Sequence, residues 1–119
     1  MITLSENASN VALDAVARLM DGGLLELLDG SGQVVAELHL SSPAAEAAAD
    51  SALMLSRIDD GIAIKSANAE TARIVGPDGV EVLVCDVGDE RSSAVIKLSA
   101  TEIPIGFPVR ITSFWLVMP

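Results

Sequence analysis

The sequence predicts a mainly β fold, an antiparallel β-sandwich of jelly-roll or immunoglobulin-like type with one short N-terminal α-helix. Three observations predict it. A helical period occurs only near the N-terminus, where Ala8, Val11, Ala12, Ala15, Val16 and Leu19 recur at three- and four-residue spacing. From Leu24 onward the period is two, and turn signals recur about every ten residues, the mark of a sandwich or barrel. The 119 residues, 50% of them hydrophobic, can bury one core without a disulfide or a structural metal, so a single domain is expected over residues 1–119.

The helix is expected over residues 6–21 and the sandwich over 24–117. Ser5 can cap the helix, Glu6 suits the positive end of its dipole, and Gly22-Gly23 ends it. The alanine-rich stripe is narrow and suits close approach to a sheet or to another chain. Leu24 to Leu28 forms the first strand. Asp29-Gly30-Ser31-Gly32 is a turn signal, and Val34 to Leu40 returns as a hairpin partner. Ala44 to Ala49, after Ser41-Ser42-Pro43, is too short to hold a helix alone and is read as a loop of low regularity. Further strands are expected at about 52–57, 62–66, 71–76, 80–86, 93–98 and 108–117, separated by signals such as Asp59-Asp60-Gly61 and Pro77-Asp78-Gly79. Val80, Val82 and Val84 alternate with residues that are themselves largely apolar, so that strand should be central. Pro104 and Pro108 frame an irregular crossing at Ile105-Gly106-Phe107, because proline cannot donate to a ladder.

The last strand is apolar on both faces. No charge occurs from Ile111 to Pro119, and Phe114, Leu116 and Met118 oppose Trp115 and Val117. Either the domain covers both faces or a neighbouring chain covers one. The residues expected at a contact with another chain are therefore Val11 and Ala15 on the helix and Phe114, Leu116 and Met118 on the strand. The partner would be a second copy, in a trimer or dimer, or another subunit of a larger assembly.

Composition excludes several classes. With 7 Lys+Arg against 17 Asp+Glu the formal net charge is −10, and the basic residues are scattered from Arg18 to Arg110, which argues against nucleic acid as a partner. The mean hydropathy of +0.49 suggests a membrane, but the longest uncharged run is nine residues, far below the ~20 that a spanning helix needs. Neither a membrane partner nor a secretory leader is expected, and the default compartment expected is a cytoplasm. His39, the only histidine, lies on the polar face of its strand with no second histidine to complete a metal site. Cys85, the only cysteine, has Asp86 beside it and no cation in sequence, the surroundings of a buried inert thiol. Asp59-Asp60 and Asp89-Glu90 match no calcium-loop pattern and read as solvated turn charge. No phosphate-binding, dinucleotide or nucleophile-elbow motif occurs. No catalytic residue, metal or cofactor is expected.

Several stretches, taken in order, resemble a family of small tailed-phage and prophage virion proteins. Leu13-Asp14-Ala15 leading into Gly23-Leu24-Leu25-Glu26-Leu27-Leu28-Asp29-Gly30 matches the family's opening helix and first strand. Ala36-Glu37-Leu38-His39-Leu40-Ser41 with Pro43-Ala44 is similar to its second strand and loop. Thr71-Ala72-Arg73-Ile74-Val75, Pro77-Asp78-Gly79-Val80 and Asp86-Val87-Gly88 resemble its central strands, and Val109-Arg110-Ile111-Thr112-Ser113-Phe114 resembles its closing V-x-I-T-S-F. The loop after Asp29-Gly30 is shorter than the family's and aromatics are fewer. The resemblance implies a virion component, present in many copies, assembled in the host bacterial cytoplasm and without enzymatic activity. A small β-rich chain with apolar edges and few aromatics then fits capsid decoration, a cement protein packed on the major capsid protein. A tail or baseplate component, including an adhesin, is the alternative.

Overall fold

The computed structural model describes residues 4–56 and 58–117. In chain order the elements are α1 (Glu6–Met20), β1 (Leu24–Leu28), β2 (Val34–His39), β3 (Ala52–Met54), β4 (Gly61–Ala63), β5 (Ala67–Asn68), β6 (Thr71–Val75), β7 (Glu81–Asp89), β8 (Ile96–Leu98), β9 (Glu102–Ile103), β10 (Pro108–Val109) and β11 (Ile111–Val117). The chain is mainly β with one helix. Nine strands hydrogen-bond in one continuous curled sheet, β10-β4-β2-β1-β6-β7-β8-β11-β3, and β5 and β9 form a separate two-stranded ribbon. The ladders are antiparallel except β7–β8, which is parallel, so the sheet is mixed and not wholly antiparallel as expected. Since β10 at one end of the order is separated from β11 near the other only by Arg110, the curl brings the two ends of the sheet together.

The local chemistry explains the turns. In the β1–β2 hairpin the Asp29 and Gly32 amides donate to the Gln33 and Asp29 carbonyls. At the β6–β7 turn Gly79 sits at φ +83°, where a side chain would be strained, and its amide donates to the Gly76 carbonyl. The expected strand over 93–98 shortens to β8 because Asp89 organises a turn ahead of it. The Asp89 side chain accepts the Arg91 amide and its carbonyl accepts the Ser92 amide.

The helix ends where expected, but a different face of it is buried. Ser5 Oγ accepts the Ala8 amide at 3.1 Å as its N-cap. Ser9, Leu13, Ala17 and Met20 face the core, with Val16 partly buried beside them, whereas Ala8, Val11, Ala15 and Leu19 are exposed. The larger Leu13 and Met20 fill more core than the alanines of the expected stripe can. Polar side chains on a flank of α1 fix this rotation. Asn10, Asp14 and Asp21 accept the backbone amides of Ser51, Ala48 and Ala44 at 3.0, 2.7 and 2.7 Å. The irregular 44–49 segment is thus a strap between α1 and β3, bridging to the chain beside β3 at Ala45–Leu55 and Ala49–Ala52. At the other end of α1, Gly23 lies so close to the Val75 carbonyl that a Cβ would collide with it. α1 touches both β3 and β7 and so spans the place where β8 is too short to fill the sheet between β7 and β11.

Candidate interaction surface

Register across the sheet defines its outer face, the side turned from the core. One row runs through Ile62, Glu37, Glu26, Arg73 and Val84, each directly opposite the next on successive strands. A neighbouring row runs through Val34, Leu28, Thr71 and Asp86. It continues across the short strand, where the Val95 amide donates to Asp86 Oδ1 at 2.9 Å. Extending the Ile96–Phe114 register by one residue sets Val95 opposite Trp115, which pairs with Met54, while Val117 pairs with Ala52.

Polarity divides these rows. Their middle is charged: Glu26 and Glu37 oppose each other, a repulsive pairing relieved by Arg73, which donates from Nε at 2.9 Å and Nη2 at 2.6 Å to Glu26 Oε1. That carboxylate raises the Arg73 pKa above its ordinary value, first by hydrogen bonding and then by charge. The β7–β8–β11–β3 end is open and largely apolar, with the exposed Asp86 carboxylate beside Val95. Met54, Val84, Val95, Trp115 and Val117 are all exposed, Trp115 at 50% and Val117 at 69%. Beside Met54 and Trp115 runs a groove of about 440 Å³, also lined by Ile58, where Arg110 donates to both Asp60 carboxylate oxygens at 3.2 and 3.1 Å. Ile62 and Ile64, at β4 and just after it, and Ile105 and Phe107, just ahead of β10, are exposed as well. There the Gly106 and Ala63 amides donate to the Ala63 and Phe107 carbonyls.

The residues expected at a contact are distributed differently. Val11, at 61%, and Ala15 are exposed on α1. Phe114, at 5%, lies in the core and Leu116 packs against it, so the free face of β11 carries Trp115 and Val117 instead. Met118 lies outside the described residues. The reversal has a local cause, a register shift between Ile111 and Ser113. Before it the odd residues Val109 and Ile111 turn inward; after it the even residues do. Strict alternation read from the sequence misses a bulge, although the polar side chains pass from the even positions Arg110 and Thr112 to the odd position Ser113 there. Likewise β7 is interior to the sheet order, as expected, yet its outer face is not covered at Val84.

Other candidates are accounted for individually. His39 is exposed on β2. Cys85 is free and half-buried, its thiol pushed up to about 11 by burial and then by Asp86. Asp60 is ion-paired with Arg110, and Asp89 organises its own turn. Among the described residues no group of three or more His, Cys, Asp or Glu is placed to hold a metal ion. No helix among them is long and apolar enough to cross a membrane. Compared with protein-family models, curated proteins and solved structures, the chain matches none.

Proposed function

We propose that the chain is a non-enzymatic structural subunit of a tailed-phage or prophage virion, a decoration protein that cements the head by packing on capsid subunits. The observation that carries this reading is the exposure of large apolar side chains in two stretches of the chain, one around Trp115 and one around Phe107. A subunit held between neighbours needs more than one such surface, whereas a ligand-binding barrel needs a lined pocket with convergent polar groups. The closing V-x-I-T-S-F resemblance supports it from the sequence. In that segment Val109 and Phe114 are core residues, and Thr112 Oγ1 donates to the Lys97 carbonyl at 3.1 Å. In the same reading the curled sheet, with β10 running into β11, is the sandwich-like body of the family. Labelling intact particles with an antibody raised against the protein tests the proposal. Regular label over the head is the expected result. Label confined to tails, or none on purified particles, would overturn the assignment to the head.

A further inference from the structure

We infer that an opening inside the sheet, between residues 81–85 of β7 and residues 115–117 of β11, receives an extended segment of another protein, apolar along its length and basic at its ends, added as an extra strand. The site goes beyond the virion role and holds whether or not that role does. β7 runs for nine residues, but β8 pairs only with Val87, Gly88 and Asp89. The chain ahead of β8 does not continue alongside the rest of β7. It folds back over Gly88, where a Cβ would collide with Ser92 and Ala94. On β11, Phe114 pairs with Ile96 of β8, whereas Trp115, Leu116 and Val117 pair with β3 and, among the described residues, with no strand on the other side. β7 and β11 flank β8 and so stand two strand spacings apart there, roughly 9 to 10 Å, which leaves room for one strand where β8 stops.

Burial marks the same opening from the core side. Ala72 and Ile74 of β6 and Leu53 of β3 are fully buried, yet their ladder partners Cys85, Leu83 and Leu116 are only partly buried. Burial thus falls off at the two strands that border the opening and is complete beyond them. On the outer face Val84 and Val117 border it, at 56% and 69% exposed. An inserted strand therefore meets apolar neighbours on both faces, and its backbone supplies the partners that a strand edge requires. Its ends meet carboxylates. Glu81 and Asp86 are exposed at opposite ends of the open stretch of β7, Asp86 with the Val95 amide on one oxygen, and among the described residues neither is in an ion pair. Lys or Arg flanking the inserted segment sets a cation opposite each. A second copy of the chain is a poor occupant, since it carries −10 and its apolar strands already lie in ladders.

The probe is a dye-labelled peptide of consecutive valines with lysines at both ends. Its fluorescence anisotropy should rise with protein concentration to give a dissociation constant below about 1 mM, and added salt should weaken binding. Hydrogen exchange should slow at residues 81–85 and 115–117 and stay unchanged in the β1–β2 hairpin. Glu81→Lys should weaken binding about tenfold, whereas Glu37→Lys, the same change of net charge at an exposed position on β2, should leave it within about twofold. A peptide with proline in place of its central valine lacks one backbone donor and should bind about tenfold more weakly. No binding at about 1 mM overturns the inference. So does equal binding of a peptide ended by glutamates or broken by proline, and so does slowed exchange confined to other strands. Slowed exchange at residues 81–85 on raising the protein concentration alone would give the opening to a second copy and overturn it as well. Peptide binding at this site by a protein absent from particles would leave the site standing and reject the virion role.

Discussion

Asp29 gathers four donors at the β1–β2 turn: the Ser31 amide and hydroxyl and the Gln33 amide on Oδ1, and Lys65 Nζ on Oδ2 at 2.5 Å. These bonds, led by Lys65 and then Ser31, hold its carboxyl well below the usual range. A carboxylate whose folded pKa is depressed contributes stability above its unfolded pKa of 3.8, and that contribution is lost as pH falls below this value. Asp29→Asn should therefore lower the melting temperature at neutral pH, and the gap from the unsubstituted chain should close on acidification. Cys85 behaves in the opposite sense. Its raised pKa favours the folded state below 9.0, and this part of the stability should be lost as pH rises toward about 11. Alkylation of the native thiol near neutral pH should be slow and should accelerate in denaturant. The turn at Asp29-Gly30-Ser31-Gly32 was legible because its signals are adjacent in sequence. The Lys65 contact was not, because it spans 36 residues.

α1 was legible in extent and misleading in orientation. Ser5, Glu6 and Gly22-Gly23 mark both ends locally, whereas the buried face depends on what the helix meets. Two substitutions separate the faces. Leu13→Ala should cost about 2 to 5 kcal/mol by emptying core volume, whereas Val11→Ala should lie within about 0.5 kcal/mol of the unsubstituted chain, both measured by denaturant unfolding. Equal costs would mean that the helix packs on the face that the alanine stripe suggested. The same limit applies to β5 and β9, two-residue strands whose pairing at Ala67–Ile103 and Asn68–Glu102 leaves no periodic trace in so short a segment.

For the whole molecule, the mainly β class follows from the two-residue period and the turn spacing, but the closing of one sheet upon itself and its parallel β7–β8 ladder depend on long-range pairing that no local pattern encodes. The core position of Phe114 belongs to this scale, since it seats β11 against Ile96 of β8. Phe114→Ala should cost about 3 to 5 kcal/mol in unfolding free energy. Loss of fold, and not merely of assembly, is the expected outcome of Phe114→Asp, seen as collapse of the native circular dichroism. The strap over β3 bears on what the chain avoids. A bare terminal strand is a template for endless cross-chain addition, and the danger grows with local copy number. By lending Asn10, Asp14 and Asp21 to the backbone beside β3, the helix withholds that template from other chains. Asp14→Ala combined with Asp21→Ala should release the strap, open it to protease, and turn a tractable subunit into one that forms thioflavin-positive fibrils.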